Sequence, residues 1–128
     1  MAIYGIGTDI VEVRRMAAIL ARHGTRFARH VLSPLELPEF AASAFPERFL
    51  AKRFAAKEAF AKAAGTGLRH PVSLTRLSIT HDALGKPGFA WDAILGEWLA
   101  ERGIRACHLS VSDEKELVAA FVVLERAA

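Results

Sequence analysis

The stretch PERFLAKRFAAKEAFAKAAG, from Pro46 to Gly65, constrains the fold more than any other part of the chain. Proline suits a first helical position and glycine the residue that ends a helix, and nothing between them breaks one. Phe49, Leu50, Phe54, Ala56, Phe60 and Ala63 or Ala64 recur at helical spacing and predict its buried stripe. Glu58 and Lys62 lie one turn apart on that helix. As a solvated ion pair they contribute only a few tenths of a kcal/mol, so stability is a weak reason for them.

The rest of the chain divides around this helix. AIYGIGTDIVEV reads as a first strand, and RRMAAILARHG as a helix stopped at Gly24, followed by a short basic turn. Ser33 before Pro34 predicts a helix capped by the serine and kept short by Pro38. After the loop GTGLRHPVS, LTRLSITHD predicts a strand, ALGKPG a turn, and FAWDAILGEWLAERG an amphipathic helix ending at Gly103. ACHLSVS and ELVAAFVVLE predict two closing strands around the polar turn DEKE. The second is apolar on both faces and is expected to be a central, covered strand. The expected fold is α+β, a mainly antiparallel sheet packed against a long helix. With 128 residues and no linker, residues 1–128 are expected to form a single domain.

Composition narrows the classes. With 52% hydrophobic and 24% charged residues, the chain is globular rather than disordered. LVAAFVVL, from Leu117 to Leu124, is its longest apolar run and far short of a membrane helix, and MAIYGIGTDI has no leader-like pattern. A cytoplasmic protein with no membrane association is expected. The one cysteine, Cys107, excludes an internal disulfide and a cysteine-based zinc site, and its alternating apolar surroundings suit an inert thiol. The net charge of +3 is modest, but its distribution is not even. Arg14, Arg15, Arg22, Arg26 and Arg29 join His23 and His30 in a segment with no acid between residues 13 and 32. Such a surface suits an acidic partner. Nucleic acid is disfavoured, because aromatics are not interleaved with the basic residues.

Most acids fall in turns or helix flanks, but Asp9 interrupts the first strand, where aspartate is rare. An acid there caps something, pairs with an arginine, or binds a cation. Gly5 and Gly7 beside it mark the close approach of a ligand or of another backbone. Around Glu58 stand Lys52, Arg53, Lys57 and Lys62, with Ala51, Ala55 and Ala59 leaving room for another element or a ligand. A strand carboxylate and a helix carboxylate with a lysine beside it make a reasonable magnesium site for phosphate chemistry, since magnesium takes oxygen ligands and shares substrate phosphates.

GIGTDIVEVRR, RFAAKEAFAKAAGTG, GKP at 85–87 and HLSVS together resemble the holo-acyl-carrier-protein synthases, the small type of 4′-phosphopantetheinyl transferase, across nearly the whole chain. The resemblance implies transfer of the phosphopantetheine arm of coenzyme A to a serine of apo acyl carrier protein, in support of fatty acid biosynthesis, with release of adenosine 3′,5′-bisphosphate. It implies Mg2+ bound by Asp9 and Glu58, with Glu58 and Lys62 as catalytic residues and Lys62 against the phosphates. Whether Glu58, Lys62 or a water takes the serine proton stays open. Further coenzyme A contacts implied by motif are Arg53, Gly65, Thr66, Gly67, Lys86 and Pro87, and carrier contacts are Arg15 and Arg22. The family also implies a homotrimer with active sites between subunits. One position departs: many relatives have histidine where this chain has Asp113, and no role passes to the aspartate. The competing reading is a noncatalytic module whose basic helix docks an acidic protein. It gives no reason for an acid inside the first strand.

Overall fold

The computed structural model describes residues 1–127. The chain runs through β1 (Ala2–Glu12), α1 (Val13–His23), α2 (Thr25–Val31), α3 (Leu37–Ala41) and α4 (Pro46–Ala64), then a 3-10 turn at Leu74–Arg76. It continues through β2 (Leu77–His81), β3 (Pro87–Trp91), α5 (Ala93–Glu101), β4 (Ile104–Asp113) and β5 (Leu117–Arg126). β1, β5 and β4 form an antiparallel sheet in the order β1-β5-β4, and β2 pairs antiparallel with β3 as a separate hairpin. This is the expected α+β architecture, with antiparallel sheet against a long helix.

α4 lies against the inner face of β1 and β5, and the strand sequence sets how closely. A Cβ on Gly5 would stand 1.9 Å from the Ala63 carbonyl oxygen, and one on Gly7 would stand 1.9 Å from that of Ala59. Of the two occupants open for those glycines, another backbone is the one present. Ala51, Ala55 and Ala59 are fully buried, so the room expected beside Glu58 is filled by packing rather than held for a ligand. The predicted apolar stripe also widens. Leu50, Ala56 and Phe60 are buried as expected, but so are Arg53 and Lys57, while Phe49 and Phe54 are only half-buried.

Several local expectations change. The segment after Gly24 is not a turn but α2, because Ala28 and Val31, three residues apart, reach the core on one face. Gly24, at φ +60°, supplies the break between α1 and α2. Ser33 does not cap a helix: α3 begins at Leu37 with Pro38 in its first turn, and the Ser33 hydroxyl meets that of Ser78 at 2.6 Å. Residues 87–91, expected as the end of a turn and the start of a helix, form β3, and α5 begins after Asp92, whose side chain accepts from Leu95 N at 2.9 Å.

β5 is central, as its sequence predicts, but it is covered on one face only. Val118, Ala120, Val122 and Leu124 point into the core, whereas Leu117 and Phe121 are exposed. Across the register Phe121 stands beside Thr8 of β1 and Ser110 of β4, and Ile6 and Ile10 of β1 share the outward face. Among the described residues, no helix is long and apolar enough to cross a membrane.

Candidate active site

β1 presents Gly5, Gly7, Asp9 and Val11 to one side by its period of two. The glycines admit α4, and Asp9 follows them on the same face, within reach of the C-terminal half of that helix. Lys62 donates to the Thr8 carbonyl at 2.9 Å and to Asp9 Oδ1 at 3.3 Å. The lysine is thus paired with the strand acid rather than with Glu58, its neighbour one turn back on the helix. Burial pushes the half-buried Glu58 carboxyl up, the negative charge of Asp9 pushes it further, and Lys62 partly opposes both. Asp9, Glu58 and Lys62 therefore form one electrostatic unit drawn from two elements.

The donor set suits a hard divalent cation. Among the described residues no three His, Cys, Asp or Glu side chains form a ready metal cage. Two carboxylates are what magnesium uses when it keeps waters and shares the oxygens of a substrate phosphate. The like charges that raise Glu58 are also what a cation would relieve.

Gly65 closes α4 in the left-handed region at φ +80°, with Gly67 following at φ +63°. Their amides are engaged with the helix end: Gly65 N donates to Lys62 O at 3.1 Å and Gly67 N to Ala61 O at 3.2 Å. These two amides are therefore occupied in holding the turn.

The remaining implied cofactor contacts stand apart. Arg53 and Pro87 line a cleft of about 200 Å³ with Lys52, Ile79, His81, Gly85, Val111 and Asp113. Lys86, exposed between the lining residues Gly85 and Pro87, lies in a turn held by Asp82, whose Oδ1 accepts from Lys86 N at 2.9 Å. Arg53 and Glu58, five residues apart on α4, are about 140° apart around the helix. β4, which supplies Val111 and Asp113, is the edge strand opposite β1. Asp9, Glu58 and Lys62 thus face one edge of the sheet, and the cleft opens at the other.

Two groups in or beside the cleft escaped the sequence reading. Asp113 forms ion pairs with Arg48 and with Lys52, the latter at 3.4 Å, and Arg48 also bonds the carbonyls of Glu114 and Lys115 across the β4–β5 turn. Behind the cleft, Glu36 flanks α3, as most acids were expected to flank a helix or lie in a turn, but it is fully buried. It accepts from Lys57 Nζ at 2.5 Å, Ser33 N at 3.0 Å and Ile79 N at 2.9 Å. The pattern Ser33-x-x-Glu36 was the available signal, because a glutamate there reaches back to the serine amide. Lys57 accordingly points away from Glu58.

On the opposite flank, Arg15 and Arg22, two turns apart on α1, line a shallow groove with Ala18, Ile19 and His23. Both arginines are exposed. Cys107 is half-buried, and burial pushes its thiol up to about 12, in keeping with an inert role.

Residues 5–122 match the model of the 4′-phosphopantetheinyl transferase superfamily. The chain belongs to this superfamily. Among its phosphopantetheinyl transferase relatives, the holo-[acyl-carrier-protein] synthase of Laribacter hongkongensis is 60% identical over 123 residues, 96% of this chain and 98% of that protein. The crystal structure of the Neisseria meningitidis holo-[acyl-carrier-protein] synthase matches with a TM-score of 0.94 at 53% identity, covering 97% of this chain and 99% of that one. A Bacillus anthracis holo-(acyl-carrier-protein) synthase solved in complex with CoA (3′,5′-ADP) matches with a TM-score of 0.81 at 33% identity, over 99% of this chain and all of that one. The fold is therefore shared well beyond the motifs that first carried the resemblance.

Proposed function

We propose that this chain, acting as one transferase domain, moves the 4′-phosphopantetheine group of coenzyme A onto a serine of apo acyl carrier protein, in support of fatty acid biosynthesis. The serine oxygen forms a bond to the phosphorus that carries pantetheine. The phosphoanhydride bond to the second phosphate breaks, and adenosine 3′,5′-bisphosphate leaves. The observation that carries the reading is the meeting of Asp9, Glu58 and Lys62, joined by the Lys62–Asp9 contact at 3.3 Å. A docking module has no use for a like-charged carboxylate pair with a lysine against one of them.

Asp9 and Glu58 would hold magnesium, which when bound offsets the diphosphate charge and polarises the phosphorus. Glu58, the carboxylate of the pair that Lys62 leaves without a hydrogen bond, takes the serine proton. Lys62, which donates to Thr8 O and Asp9 Oδ1 beside these carboxylates, would contact the phosphate oxygens. Arg53, Lys86 and Pro87 bind the nucleotide end of coenzyme A, with Gly65, Thr66 and Gly67 shaping the turn beside Lys62. Arg15 and Arg22 receive the acidic carrier.

The molecule works in the cytoplasm as a homotrimer. The outward apolar face of Ile6, Ile10, Leu117 and Phe121 gives copies a surface to bury. Catalytic acids at one sheet edge and a cofactor cleft at the other then join across the contact between neighbours. The test is incubation with coenzyme A, magnesium and apo carrier protein, followed by mass spectrometry of the carrier. Gain of one phosphopantetheine is the expected result, and an unchanged mass overturns the reading.

A further inference from the structure

Glu36 has more cations than it can neutralise. Its Oε1 is taken by Lys57 Nζ and by Ser33 N, and its Oε2 by Ile79 N, with Arg53 Nε beyond at 3.6 Å. Lys57 also donates to the Val31 carbonyl at 2.7 Å, so the ammonium is fixed at Oε1, while Arg53 lies nearest Oε2. The buried set is one carboxylate with two cations. The exposed Glu39 acts on Arg53 only as a weaker, longer-range charge.

Arg53 is 6% exposed, and its Nε is sealed from solvent without a hydrogen bond. Its guanidinium is fixed from a second direction by the Phe49 ring, whose centroid lies 4.1 Å from Cζ. The same side chain forms part of the cleft wall. Other charges at the cleft do not supply the missing anion, since its one carboxylate, Asp113, is already shared by Arg48 and Lys52. Burying a surplus cation is costly unless something negative meets it.

We propose that Glu36 is a positioning residue for coenzyme A: with Phe49 it fixes the angle of the Arg53 guanidinium, so that the arginine meets a phosphate of the nucleotide in the cleft. The inference rests on reading the cleft as the coenzyme A site. Glu36 does not touch the substrate. It acts by holding Arg53 from behind, and its tie to Ile79 N joins that hold to β2, whose hairpin carries Lys86 and Pro87 to the same cleft.

The experiment is steady-state kinetics on Glu36→Gln and on Glu36→Gln with Lys57→Met, which replaces the buried pair by neutral side chains of similar size. The KM for coenzyme A is expected to rise roughly tenfold, the effect of weakening one charge-assisted contact, with kcat and the carrier KM nearly unchanged. Arg53→Lys is expected to raise the same constant, and adding it to the Glu36 variants to give little further loss, because both act through one contact. An unchanged coenzyme A KM in folded protein, or losses that multiply, overturns the proposal. Should the variants fail to fold, side-chain nitrogen NMR of the unaltered protein reads the same contact. Adenosine 3′,5′-bisphosphate is expected to shift the Arg53 Nε–H resonance, and no shift at saturation overturns the proposal. Absence of any transfer by the unaltered protein would instead remove the transferase reading itself.

Discussion

At Glu58, burial comes first and Asp9 second in pushing the carboxyl above its ordinary range, with Lys62 opposing. A carboxyl whose pKa is higher folded than unfolded binds more protons in the folded state. Its contribution therefore favours the fold at low pH and turns against it as the pH rises through the glutamate range and past the raised value. Glu58→Gln removes that cost. In thermal melts near pH 8 without divalent metal, the variant is expected to melt at or above the unaltered protein, and added magnesium to raise only the latter. A clear fall in melting temperature near neutral pH, or an equal response to magnesium, contradicts the assignment. The sequence could present Glu58 and Lys62 only as neighbours one turn apart. That Lys62 turns to Asp9 depends on bringing together residues 53 positions apart in the chain, which no local pattern encodes.

Among the elements, α4 and β1 set the geometry of the site through their near contact. Gly7→Ala would place a methyl 1.9 Å from the Ala59 carbonyl oxygen. It is expected to destabilise the fold by at least the 1–3 kcal/mol typical of overpacking, and to impair transfer by moving Asp9 relative to Glu58. Denaturant unfolding and turnover measure the two effects, and a variant of normal stability contradicts the packing account. α1 carries the two arginines proposed to receive the carrier. Arg15→Glu is expected to weaken carrier binding far more than coenzyme A binding, and raised salt to do likewise. The limits of β1, α1 and α4 were legible because glycine, proline and helical periodicity punctuate them. α2 and β3 were not: each is short, and each owes its form to tertiary burial or hairpin pairing more than to its own pattern. Lys57 was misplaced for a related reason. The helix sets it beside Glu58 in sequence, and only Glu36, from another part of the chain, draws it away.

Across the whole molecule, the division of the site residues between two sheet edges is the feature with the widest consequence. The residue types and motifs were readable in advance, but their separation depends on β5 standing between β1 and β4. If neighbouring copies complete each site, Asp9→Ala and Arg53→Glu proteins, each inactive alone, are expected to regain activity when their subunits are exchanged. No recovery after demonstrated exchange contradicts the shared site. Phosphopantetheine transfer dependent on the two carboxylates remains the central claim. Its most direct measurement is the mass of apo carrier after incubation with coenzyme A, magnesium and either the unaltered protein, Asp9→Asn or Glu58→Gln. One added phosphopantetheine with the unaltered protein, and almost none with either folded variant or with the metal chelated, is the predicted result. An unmodified carrier with the unaltered protein, or full conversion by either variant, would contradict it.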